Sequence, residues 1–149
     1  GHIAAAVANG ARCVAGGGPA AHPDGGDGWF VEPTVFIDVT QDMAIAREEV
    51  FGPVLVMIPY EDEDDAVRIA NDSAFGLAGA VMSRSAERGM AIARRVRTGS
   101  FGVNGGMFYG ADAPFGGYKS SGIGRQCGIE GFEQYLETKT IARRERRRG

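Results

Sequence analysis

The chain has 149 residues, 44% of them hydrophobic and 23% charged, with a formal net charge of −3. That composition can bury a core and is not that of a disordered chain, and the acidic balance argues against a general nucleic-acid binder. No apolar run approaches the ~20 residues that span a bilayer, and the two cysteines, Cys13 and Cys127, fit neither a disulfide framework nor a metal-ligand spacing. No charged-then-apolar leader opens the chain, so the cytoplasm is the expected compartment. Glycine supplies 24 of the 149 residues, about twice the usual ~7%, without a repeat period. The chain starts on Gly1 rather than Met, inside what reads as a helix, and a fragment of a longer protein is expected. Charge is segregated: residues 143–149 hold five arginines and one glutamate, while residues 61–65 are all acidic. The arginine tail reads as a solvated terminus.

In chain order, residues 1–8 read as a helix end, Asn9-Gly10 as a turn, and the stretch through Val14 as a short strand. Residues 16–28, rich in Gly, Pro and Asp, read as a surface loop. Residues 33–39 alternate Val35, Ile37 and Val39 on one face, as a strand does. Residues 41–49 can supply one or two helical turns. Residues 53–60 form a continuous apolar run that fits a strand covered on both faces. Residues 61–73 then read as a helix with its acids toward the positive end of the dipole and Ala66, Ile69 and Ala70 on one side. Residues 76–83 suggest another strand, and residues 85–99 an amphipathic helix with Met90, Ala93 and Arg97 aligned and Gly99 as its stop. Residues 100–104 suggest a third strand. Strand–helix–strand–helix–strand at this spacing predicts an α/β fold with a parallel sheet.

A glycine-rich stretch over residues 105–124 follows. A loop of that length at the C-terminal end of a parallel strand is usually functional. Residues 129–144 read as a helical turn and then an extended edge, with Tyr135, Glu137, Lys139 and Ile141 patterned to pair outside this sheet.

Most catalytic devices are absent. His2 and His22 lie in the start and in a loop, and no nucleophile elbow, zinc cluster, phosphate loop or strand-linked GxGxxG occurs. Cys13 reads as a small core residue. Cys127 follows Arg125-Gln126, and a nearby arginine lowers a thiol pKa, but no base lies within sequence reach to activate it. Two segments remain. In "REEVFGPV" (residues 47–54), Glu49 could accept hydrogen bonds from ribose hydroxyls while Phe51 packs on a ring. The competing account, a turn with a core Phe and a solvated Glu pair, fits the pattern alone better. In "GADAPFGGYKSSGIGR" (residues 110–125), Phe115 rides a glycine turn, and Met107, Phe108 and Tyr109 could join it as walls of an apolar pocket. The competing account is a buried anchor that holds the loop down.

Together these blocks resemble the C-terminal part of the NAD(P)-dependent aldehyde dehydrogenase superfamily. "GWFVEPTVF", "MAIAREEVFGPVL", "ANDSAFGLAGAV", "GSFGVN", "APFGGYKSSGIGR" and "YLETKTI" stand in family order at family spacing. The resemblance implies the parallel-sheet part of the catalytic domain over residues 1–133 and an oligomerisation strand with a basic tail over residues 134–149. It implies NAD or NADP as cofactor, a small aldehyde as substrate, and a homo-oligomer, with no nucleic acid or membrane as partner. Glu49 stands where the family contacts the nicotinamide ribose and Phe51 where an aromatic packs by the nicotinamide ring. Phe115, Met107 and Tyr109 stand along the substrate tunnel. Glu137 matches a structural glutamate that in some members pairs with an arginine at the place of Arg125, and Gln126 stands where many members carry a glutamate.

The same resemblance places the family's cysteine nucleophile, its water-activating glutamate and its Rossmann domain ahead of Gly1. The expected function is therefore part of an oxidoreductase that converts an aldehyde to a carboxylic acid through a thiohemiacetal and a thioester on that cysteine. No catalytic residue falls in this chain, and the fragment alone is expected to be inactive. The alternative is a non-catalytic assembly or binding module derived from such an enzyme.

Overall fold

Backbone hydrogen bonds divide the chain into short strands and helices that gather in two units, Gly1–Ala74 and Phe75–Gly149. The structure is a computed structural model and describes residues 1–106 and 109–144.

The first unit opens with α1 (His2–Ala8), whose end is closed by Asn9 N–H to Ala5 O and Gly10 N–H to Val7 O. It continues through β1 (Arg12–Ala15), the small hairpin β2 (Pro19–Ala20) and β3 (Phe30–Val31), then β4 (Thr34–Ile37), α2 (Ala44–Arg47), β5 (Val54–Val56) and α3 (Glu63–Asn71). The main sheet has the order β1-β4-β5, with β1 antiparallel to β4 and β5 parallel to it. Phe36, Val39, Ile45, Ala6 and Ala11 form the buried core, which Ile3, Cys13, Val50, Val54 and Val56 extend.

Three readings change here. On β4 the inward residues are Thr34 and Phe36, whereas Val35 and Ile37 are only half-buried. Val39 still reaches the core because Asp38 takes a left-handed φ of 58°, which breaks the two-residue period and returns the next side chain inward. On β5 one face is covered: Val54 and Val56 pack on the core, but Leu55 and Met57 are 55% and 51% exposed. In α3 the buried residue is Val67, with Ala66 and Ile69 beside it and Ala70 outside. The start of α3 agrees with its sequence, since the Asp62 carboxylate accepts from the Asp65 N–H at 2.8 Å and caps an orphan donor.

The second unit contains β6 (Phe75–Gly76), β7 (Ala78–Val81), α4 (Ala86–Arg95), β8 (Ser100–Val103), β9 (Tyr118–Lys119) and α5 (Gly128–Glu133). β7 and β8 run parallel in register from Ala78↔Ser100 to Val81↔Val103, with α4 as their crossover. The fold class is α/β, realised as a parallel pair within each unit. Ser85 caps α4 by accepting from Arg88 N–H. The helix ends at Arg95 because Val96 turns to extended geometry, well before Gly99. Its buried residue is Gly89, while Met90 is 45% exposed. A Cβ on Gly89 would lie 2.7 Å from Val103 Cγ1. The helix backbone lies so close to β8 that only glycine fits the line of contact, and larger side chains flank it.

Beyond α5, Tyr135 and Leu136 turn back through N–H bonds to Phe132 O and Glu133 O at 3.1 and 3.0 Å. Residues 137–144 lie in neither helix nor strand. The edge strand expected over residues 135–141 is therefore not formed: its first two residues close the turn after α5, and the rest lie in neither helix nor strand. No helix among the described residues is long and apolar enough to cross a membrane.

Candidate functional site

The first candidate site grows from the end of α2. Glu48 leaves helical geometry with ψ 149°, and its N–H closes the helix on Ala44 O at 2.8 Å. Pro53 O accepts from Thr34 N–H at 2.8 Å, so both ends of the turn over residues 48–53 are tied to regular structure. Between them the side chains alternate. Glu49 is exposed, Val50 packs on the core, and Phe51 is 93% exposed at a left-handed φ of 50°. Glu48 meets His2 Nδ1 at 3.7 Å, which leaves Glu49 as the carboxylate beside the aromatic.

The core-Phe account of this turn is therefore overturned. Phe51 buries almost nothing, and a bulky residue at positive φ costs about 1–3 kcal/mol. The ring is thus exposed in this chain, with the Glu49 carboxylate two residues before it.

The second candidate site lies in the glycine-rich loop of the other unit. Met107 falls outside the described residues. Tyr109 and Phe115 come together, with ring centroids 5.2 Å apart and planes inclined at 50°. Tyr109 is 66% exposed, while Phe115 is half-buried. Phe115 owes its place to its main chain, which exchanges two N–H···O bonds of 2.7 Å with Gln126 across the neck of the loop. The loop also joins the sheet edge. β6 pairs with β9, and Gly76 N–H donates to Ser121 Oγ at 3.0 Å. Beside it is a cleft of about 340 Å³ lined by Leu77, Phe115, Ile123, Arg125, Gln134 and loop glycines.

Arg125 donates from Nη1 to the carbonyls of Gly124 at 2.6 Å and Gly117 at 3.1 Å, and its guanidinium carbon lies 5.4 Å from the Tyr118 ring centroid. No ion pair joins it to Glu137 among the described residues. Gln134, which the sequence did not single out, donates from Nε2 to Arg125 O and to Gly131 O. No local signal marks it, since it lies nine residues from Arg125 at the far end of α5.

Neither cysteine is placed for catalysis. The Cys13 thiol donates to Ala15 O at 3.2 Å, and Cys127 is exposed as the first residue before α5. No cluster of three or more His, Cys, Asp or Glu able to hold a metal occurs among the described residues.

The profile of the aldehyde dehydrogenase family matches residues 1–141. The chain belongs to that family. A 3-succinoylsemialdehyde-pyridine dehydrogenase from a Pseudomonas species is 50% identical over 136 residues, 91% of this chain and 28% of the relative. A geranial dehydrogenase from Castellaniella defragrans is 52% identical over 131 residues, 88% of this chain and 27% of the relative. Among solved structures, a Mycobacterium tuberculosis aldehyde dehydrogenase complexed with NAD+ is 50% identical with a TM-score of 0.83, over 89% of this chain and 27% of that one. A Pseudomonas syringae aldehyde dehydrogenase variant in complex with NAD+ and octanal is 46% identical with a TM-score of 0.86, over 94% and 28%. The chain thus spans little more than a quarter of the relatives it matches, and the NAD+ in those structures supports NAD or NADP as the family's cofactor.

Proposed function

We propose that this chain is part of an NAD(P)-dependent oxidoreductase that converts an aldehyde to a carboxylic acid, and that it supplies the nicotinamide-side clamp and an aromatic wall of the substrate passage. The observation that carries the reading is Phe51, exposed at a left-handed φ beside Glu49, in a chain of this family.

The residues present fit the nicotinamide end of such a cofactor. Glu49 offers an acceptor pair to two vicinal ribose hydroxyls, and charge-assisted bonds of this kind are roughly twice as strong as neutral ones. The Phe51 ring offers an apolar face to a flat heterocycle. A bound dinucleotide would supply the acceptor for the substrate's hydride. The role of Glu49 and Phe51 is to orient the ring that receives it, where small displacements cost large factors in rate. Phe115 and Tyr109 contribute apolar walls that hold the carbon chain of the aldehyde and exclude water from one side. The covalent work, by a cysteine that adds to the aldehyde and is later freed by hydrolysis of a thioester, lies outside this chain.

In the complete protein carrying this chain, Glu49→Gln lowers the single-turnover rate of NAD(P)H formation by roughly tenfold or more. The aldehyde KM stays within about twofold, because the change is on the cofactor side. A hydride-transfer rate equal to that of the unaltered protein would remove Glu49 from this role.

A further inference from the structure

Phe115 is held by a chain of contacts that continues away from its ring. Its main chain is bridged both ways to Gln126. The neighbouring Arg125 crosses the loop neck to the carbonyl of Gly117, bonds that of the adjacent Gly124 and lies over the Tyr118 ring. The carbonyl of Arg125 accepts from Gln134 Nε2, and the same nitrogen reaches Gly131 O at 3.1 Å. Gln134 therefore ties the end of α5 to the neck. Gly124, at φ 79°, makes room for it, since a Cβ there would lie 2.7 Å from Gln134 Oε1.

We infer that Gln134, acting through Arg125, is a positioning residue that fixes the Phe115 ring and so sets discrimination among aldehydes by the length of their carbon chain. This inference rests on the reading of Phe115 as a substrate wall. The amide donates to two carbonyls, so removing it frees the neck without introducing a charge. An aldehyde long enough to lie against the ring depends on where that ring sits. One too short to reach it does not.

The test uses Gln134→Met, which keeps length and apolar bulk but has no donor, in the complete protein carrying this chain. The expected result is a roughly three- to tenfold lower kcat/KM for hexanal, carried by KM. The values for propanal and the KM for NAD(P)+ stay within about twofold. In a Phe115→Leu background the same substitution has no further effect on hexanal, as coupled sites require. Arg125→Lys, which keeps the charge but loses the planar fork, shows the same selective loss. An equal loss for propanal and hexanal, no loss for either, or additivity with Phe115→Leu overturns the inference and leaves the proposed function standing. No NAD(P)-linked oxidation of any aldehyde by the unaltered protein overturns the proposed function itself.

Discussion

Gly99→Ala is the substitution with the most direct structural consequence. An added Cβ at this position would lie 1.6 Å from Gly116 O and 2.7 Å from Gly116 C, both main-chain atoms. Since Cβ contacts under 3.0 Å essentially never occur, the loop must retreat from β8 by at least about 1.4 Å. That movement displaces Gly116, whose chain neighbours Phe115 and Gly117 carry the neck bonds to Gln126 and Arg125, and strains all three. Overpacking of about 1–3 kcal/mol alone, rising to roughly 7 kcal/mol if all three bonds at about 0.5–1.5 kcal/mol each are lost, sets the range of the expected loss. Urea denaturation of the complete protein measures it, with Gly106→Ala as the control. There, among the described residues, a Cβ would meet only Val103 O at 3.4 Å, and the change stays within about 0.5 kcal/mol. The aldehyde KM rises in Gly99→Ala, because Phe115 adjoins the displaced residue. A stability loss below about 1 kcal/mol would refute the argument that main chain abuts main chain here.

Two further predictions separate function from stability. Phe51→Gly removes a ring that buries almost nothing and suits the left-handed φ, so stability stays within about 1 kcal/mol of the original or rises, while affinity for NAD(P)+ falls. A clear drop in stability on urea denaturation would mean that the ring packs after all. The Asp65 carboxyl is held below the usual carboxylate range by the Glu61 N–H, and then by its side-chain bonds from Arg68. A group whose folded pKa is depressed contributes stability above its unfolded pKa and loses it as pH falls through the folded one. Stability therefore declines on acidification below about pH 4, the unfolded carboxylate value. Asp65→Asn makes that decline shallower, as a pH series of denaturation midpoints shows. An unchanged acid limb would contradict the assignment.

Sequence alone located the longer elements, α1, β4, β5, α3, β7, α4 and β8, because periodicity and turn residues act within a few residues of one another, but it missed the short strands β2 and β9, and the strand expected over residues 135–141 does not form. It also gave the family, since six short blocks in fixed order identify a shared architecture. Tertiary structure decided which face of each element is buried. Thr34 and Phe36 take the inward face of β4, the left-handed Asp38 returns Val39 to the core, and close contact with β8 selects Gly89 over Met90 for the interior of α4. Tertiary structure likewise left the Phe51 ring exposed, which no local pattern encodes, and brought Tyr109 to Phe115 and Gln134 to Arg125. The physical reason is range. Local preferences are fixed by neighbours in the chain, whereas burial, ring contacts and hydrogen bonds across a loop neck depend on surfaces that meet only after the chain has folded.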